Sequence, residues 1–391
     1  MNKRTRFVIL AVTAPVLAYT LVGGILDRVS AREDTYRYLR IFEDVVSLVS
    51  DNYVEQVDPA SIMHGALWGL AEGLDPQSSY LTPDEVRQYD GGSGTPTDSI
   101  GLVLTRRYYI QVVAARDGSP ADKAGLQPGD FIREIDGQPT RMMSTVQAYN
   151  LLRGADGSVL DLSVIRDNAA EPVDVSLTRN STKSANVTSR FVGPGIGYLR
   201  IAEFDQMTAA AITSASNQLA RQGAQQFLVD LRDTALGPFE AGIAVAELFT
   251  HAEPLAIRKS ASAQEPVGRS EQEPPSITSP VVILTNHGTA GAAELFAAVL
   301  TGTSQAESIG VRTAGRAAEQ TLVRLPDGGG LLLSSTEYLT ASGDSIHRTG
   351  VEPTVTVEEP ALELLLTPSA PQEDPILDRA LQHIVGMTAT Q

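Results

Sequence analysis

The sequence contains no cysteine, which excludes disulfides, zinc–thiolate sites and a thiol nucleophile. Histidine is scarce. His64, His251, His287, His347 and His383 are scattered, and no two have the spacing that sets paired ligands on one helix face. No metal site and no cofactor is therefore expected. Positive charge is short as well: 30 Lys and Arg face 47 Asp and Glu, and the net charge of −17 repels phosphate backbones, which argues against a nucleic-acid partner. What remains, 42% hydrophobic residues in a chain of 391, is ordinary globular composition and enough length for two or three domains.

The first residues depart from this pattern. Lys3, Arg4 and Arg6 precede an uncharged run from Phe7 to Leu26. A basic flank before an apolar run of about 20 residues reads as an export signal or a membrane anchor, because that length spans a hydrocarbon core of about 30 Å as a helix. Asp27 and Arg28 close the run without a small-x-small cleavage site, which favours an uncleaved anchor. Either reading places the remainder outside the cytoplasm, in a periplasmic or equivalent compartment.

Residues 35–88 carry apolar positions at helical spacing, among them Leu39, Phe42, Val45, Val46 and Val49, then Ile62, Ala66, Leu67 and Leu70. Thr82-Pro83-Asp84-Glu85 predicts a fresh helix start. Glycine and proline over 89–98 predict a linker. From Ser99 to about Leu177 short apolar runs alternate with turns at Pro128-Gly129-Asp130 and Asp136-Gly137, a small β-rich domain with helices at 118–126 and 144–153. Beyond Gly195, strands at 196–201, 227–231 and 281–285 alternate with helices at 209–222, 239–249 and 290–300, which predicts an α/β layer with a largely parallel sheet. An exposed loop is expected over 260–279, strands around 331–340 and a final helix at 374–385.

These segments, in order, resemble the carboxyl-terminal processing peptidases, or tail-specific proteases, from about residue 35 onward. Asn52-Tyr53-Val54 and Leu74-Asp75-Pro76-Gln77-Ser78-Ser79-Tyr80-Leu81 are similar to the family's helical lead-in, with Gln77 where histidine is usual. Ser119-Pro120-Ala121, Ala124-Gly125-Leu126, Gly129-Asp130 and Ile135-Asp136-Gly137 resemble a PDZ domain. Gly197-Tyr198-Leu199-Arg200-Ile201, Asp230-Leu231-Arg232, Glu337-Tyr338-Leu339-Thr340 and Gly350-Val351-Glu352-Pro353 resemble the protease core. The resemblance implies a multidomain α/β and β architecture. Its parts are an export signal or anchor (1–31), a helical region and linker (32–97), a PDZ domain (98–178) and a protease-like core with a C-terminal helix (179–391).

The resemblance also implies a Ser-Lys dyad, in which a neutral lysine takes the serine proton and backbone N–H groups hold the oxyanion. The stretch Asn286-His287-Gly288-Thr289-Ala290-Gly291-Ala292-Ala293-Glu294 aligns with the nucleophile turn without a gap, and Gly291 occupies the serine position. In Thr313-Ala314-Gly315-Arg316-Ala317-Ala318-Glu319-Gln320, Arg316 occupies the lysine position, while Gln320, which supports the dyad in the family, is kept. Arginine does not lose its proton at working pH and cannot be the base. The oxyanion region falls at Gly237 and Ala292, but Leu236 replaces one family glycine, with backbone strain expected there if φ is positive. The expectation is a pseudoprotease that binds peptide tails without cutting; the alternative is an active peptidase with another nucleophile, such as Thr289 or Ser304 assisted by His287. Ser99-Ile100-Gly101-Leu102 resembles the PDZ loop that cradles a ligand's terminal carboxylate. The alternative for this domain is a spacer or lid. The implied partners are C-terminal tails of unfolded or membrane proteins, the inner membrane through the anchor, and an active paralogue or a second copy.

Overall fold

The structure, a computed structural model, describes residues 36–92, 99–166, 169, 171–181, 185–268, 275–358 and 374–388. The segment 1–31, read as signal or anchor, lies outside the described residues, as does 93–98 of the linker. Among the described residues no helix is long and apolar enough to cross a membrane. The chain divides into two units, 1–69 and 70–391. In the first, residues 36–52 form helix α1, and helix α2 (Pro59–Glu72) begins.

The second unit opens with β1 (Ser79–Leu81) and α3 (Pro83–Asp90). Thr82 and Glu85 form the expected reciprocal cap: the Thr82 hydroxyl accepts from the Glu85 N–H, and the Glu85 carboxylate accepts from the Thr82 N–H at 2.8 Å. An antiparallel sheet follows, built from β2 (Leu102–Arg107), β3 (Tyr109–Ala115), β4 (Phe131–Ile135), β6 (Val159–Ile165) and β7 (Val173–Thr178) in that order, with β5 (Gln138–Pro139) beside β4. Helices α4 (Pro120–Lys123) and α5 (Thr145–Leu152) start at the caps Ser119 and Ser144. The first is a single turn, shorter than the spacing predicts, because its cap and the Ala124-Gly125 turn trim both ends. Ile100, Leu102, Leu104, Ile110, Ile132, Tyr149 and Leu152 share this domain's core.

A second sheet runs in the order β17-β14-β13-β10-β9-β8: β8 (Val187–Gly193), β9 (Ile196–Ile201), β10 (Gln226–Asp230), β13 (Val281–Thr285), β14 (Ala306–Gly310) and β17 (Val355–Thr356). Only the β8–β9 pairing is antiparallel. Its strands are buried on both faces. Phe227, Val229, Val281 and Ile283 point to α6 (Thr208–Arg221), α7 (Phe239–Ala246) and α8 (Ala292–Gly302). The intervening Leu228, Val282 and Leu284 meet Ile376, Ala380 and Ile384 of α9 (Pro375–Thr388). The period of two, covered on both sides, is why these strands read as continuous apolar runs.

A third sheet joins β1, β16 (Gly330–Thr340), β11 (Ala256–Ser260) and β12 (Gln264–Val267), with β15 (Ala318–Arg324) on β16. Two expectations are corrected here. The polar stretch 260–279 is not all exposed loop: β11 and β12 form an antiparallel pair, and Ile277 is buried against the core. Residues 331–340 are one long strand, whose hairpin partner β15 precedes the glycine-rich turn.

Candidate active site

Between β13 and α8 the chain makes a tight elbow. The helix starts at Ala292, two residues later than its pattern predicts, because Gly291 has φ +60° and ψ −123° and cannot be its first helical residue. A Cβ added at Gly291 would meet nothing nearer than the Ala235 carbonyl at 3.9 Å. Gly291 therefore leaves open space where a side chain would stand.

Thr289 holds the elbow together. Its hydroxyl donates to the Leu231 carbonyl at 2.9 Å and accepts from the Asn286 N–H at 3.1 Å. Its carbonyl accepts from the Ala314 N–H at 2.9 Å, and the Ala290 N–H donates to the Thr234 carbonyl at 2.9 Å. Three loops, 231–237, 286–291 and 313–316, are thereby tied at one fully buried residue. That hydroxyl is structural, and His287 beside it is exposed. Ser304 lies past the far end of α8, an 11-residue helix and so about 16 Å long. The geometry therefore gives no support to a relocated hydroxyl nucleophile.

The base loop is held by Glu294, which is buried in the first turn of α8. It accepts from the Thr313 hydroxyl, from the Gly315 N–H at 2.6 Å and from the Arg316 N–H at 2.7 Å. Burial pushes its pKa up to about 7, against the pull of those donors. Glu294 thus meets Arg316 through the main chain rather than the guanidinium. The Arg316 side chain turns instead to neutral oxygens. Its Nη1 donates to the Leu104 carbonyl at 3.4 Å. With the Gln77 amide oriented oxygen-inward, that oxygen accepts from Nε at 3.2 Å and Nη2 at 3.1 Å. Gln320 donates its Nε2 to the Gln77 carbonyl. Gln77, Arg316 and Gln320, 243 residues apart at the extremes, form one cluster.

In the third loop, the strain expected at Leu236 is absent, since its φ is not positive; the left-handed residue is Asp233, φ +56°. Leu236 is partly buried against Val103, Val113 and Ala114 of the β2–β3 hairpin, together with Ala235, Ala290 and Ala314. Its larger side chain fills a domain contact. Gly237 has φ +121°, and a Cβ there would run into the Phe204 carbonyl. Arg200 pins the same loop: it donates to the Thr234 hydroxyl at 2.7 Å and makes two 2.8 Å bonds to Asp117 of the β-rich domain. Burial raises the pKa of Asp233 to about 6, opposed by a 3.1 Å bond from the Asn286 amide.

Ser99, Ile100, Gly101 and Leu102 lie together at the entry to β2, all buried. Ile100 and Leu102 face the core beside Ala121 and Leu152. β2 is the sheet's edge strand, yet Leu102 through Arg106 are each less than 9% exposed. The Leu104 N–H donates to the Tyr149 hydroxyl of α5 at 2.7 Å, and the Thr105 hydroxyl donates to the Pro76 carbonyl at 3.1 Å. Burial pushes the Tyr149 phenol up to about 12, so it is neutral.

Peptidase family S41 matches residues 195–357, and the PDZ domain matches residues 111–166. The carboxy-terminal processing protease CtpA of Bacillus subtilis (strain 168) is 30% identical over 357 residues, covering 90% of this chain and 76% of that protein. This chain belongs to peptidase family S41. The carboxy-terminal-processing protease of Bartonella bacilliformis is likewise 30% identical, over 85% of this chain and 77% of its own length. Among solved structures, a photosystem II D1 C-terminal processing protease superposes with a TM-score of 0.67 at 26% identity, covering 83% of this chain and 94% of that one. Within this S41 chain the residues that sequence reasoning missed are Leu104 and Tyr149. A buried glutamate in a helix's first turn was legible as structural, but no local signal announces that Tyr149 and Arg316 converge on one backbone unit of β2.

Proposed function

We propose that this S41 chain is a pseudoprotease, a PDZ-containing protein that binds C-terminal peptide tails outside the cytoplasm without cleaving them. The observation that carries the reading is the elbow itself. Gly291 leaves the nucleophile's place open, Thr289 is committed to the Leu231 carbonyl, and Arg316 cannot serve as a base. The names of the relatives support a protein tail as the ligand class. The tail is received by the PDZ domain at Ser99–Leu102, within the boundaries 98–178, and the oxyanion region Gly237–Ala292 persists without a reaction to serve. Residues 1–31 tether the chain to the inner membrane; an active paralogue is the partner that would cut what this protein holds, and a second copy is a partner in assembly.

The test is cleavage of an unfolded protein with an apolar C-terminal tail by the full chain, beside the Gly291→Ser, Arg316→Lys double variant. Wild type should give no turnover above buffer while retaining the tail in a binding assay. Wild-type cleavage above buffer would overturn the reading, whichever hydroxyl performs it.

A further inference from the structure

Arg316 is a partly buried cation with no carboxylate in contact; the carboxylates of Glu294 and Asp75 act on it only from farther away. Among the described residues no carboxylate lies within 4 Å of its guanidinium, whose acceptors are the Gln77 amide and the Leu104 carbonyl. Taking a guanidinium out of water without a counter-charge in contact is unfavourable, so such a group favours an incoming carboxylate.

Leu104 fixes where that carboxylate would come from. Its N–H meets Tyr149 and its carbonyl meets Arg316, so both ladder groups point away from β3, to the edge of the sheet that these two side chains cover. The irregularity at this point belongs to β3, where Val113 is the extra residue, so β2 keeps its own alternation and Leu102 shares the outward orientation. A tail whose terminal carboxylate rests at Ser99–Leu102 must run antiparallel to β2. Its last residue then stands level with Leu102 and its third-from-last with Leu104. There the tail's N–H takes the Leu104 carbonyl from Arg316, and its carbonyl takes the Leu104 N–H from Tyr149. Directly opposed residues carry their side chains on the same face, and the Leu104 side chain faces the domain core that includes Tyr149. The displaced guanidinium is left beside the third-from-last side chain.

We infer that Arg316 is a specificity residue, which selects tails with Asp or Glu at the third-from-last position. This rests on the tail-binding reading and adds a preference to it: the residue in the place of the catalytic base reads the ligand of the PDZ domain.

The experiment compares synthetic peptides with an apolar last residue and Glu or Gln at the third-from-last position, measured by fluorescence anisotropy with the full chain. Wild type should bind the Glu peptide about tenfold more tightly, the scale of one partly buried charge-assisted bond. The ratio should fall to about one in Arg316→Gln and persist in Arg316→Lys. Added salt should shrink it in wild type and in Arg316→Lys, and leave Arg316→Gln unchanged. Equal binding of both peptides, or a preference confined to another position, overturns the assignment while leaving tail capture standing. Absence of binding by any tail overturns both.

Discussion

At the elbow the backbone is tied from three loops around Gly291, a residue with no side chain; at the edge of the PDZ sheet the backbone of β2 is already occupied. The loops around Gly291 keep their left-handed turn, their shared anchor at Thr289 and the Glu294 clasp. The β2 edge keeps Ser99–Leu102 at its entry, but Leu104 is engaged by Tyr149 and Arg316. The contrast separates two requirements that an active enzyme meets together. Scaffold hydrogen bonds hold the fold and persist when reactive side chains change. An exposed edge strand, by contrast, is a liability unless something covers it, and here Tyr149 of α5 and Arg316 of the loop before β15 do so.

The sharpest way to break this comparison is at the two glycines of the centre. Gly237→Ala drives a Cβ into the Phe204 carbonyl as well as straining the backbone, and should cost about 3 kcal/mol or more in urea denaturation. Gly291→Ala meets no obstruction and carries strain alone, about 1–2 kcal/mol. Equal costs would mean that the elbow is not the open turn described.

A smaller effect comes from pH. The folded-state pKa of Glu294, about 7, stands above its ordinary 4.5, and that of Asp233, about 6, above 3.8. Between those values the folded chain holds protons that the unfolded chain has lost. Stability from these groups is therefore greatest at the acid end and is lost as pH rises through 6 to 7. The thermal midpoint should be about 2–4 °C higher at pH 5.5 than at pH 8. Glu294→Gln should reduce that difference; an unchanged slope would remove Glu294 as its cause.

The smallest expected effect lies on the PDZ side. Tyr149→Phe removes the phenol from the Leu104 N–H, with a stability loss of about 1 kcal/mol by denaturation. If Tyr149 competes with a tail for that N–H, the same variant should bind tails a few-fold more tightly; weaker binding would show that the hydroxyl assists the ligand instead.

Much of this protein was determined by its sequence alone. The apolar runs at 196–201 and 281–285 appear as β9 and β13 at those bounds, because strands covered on both faces must be apolar throughout. The Thr82–Glu85 cap and the identities of Gly291 and Arg316 are equally local facts, readable from the residues themselves. Only the tertiary structure decided that Leu236 fills a domain contact instead of straining a turn, that Glu294 grips the main chain of Arg316 rather than its guanidinium, and that Gln77, Leu104, Tyr149 and Arg316 meet. Periodicity and turn chemistry report the conformation of neighbouring residues. The partner of a side chain 212 residues away is set by how one sheet docks on another, which no local pattern encodes.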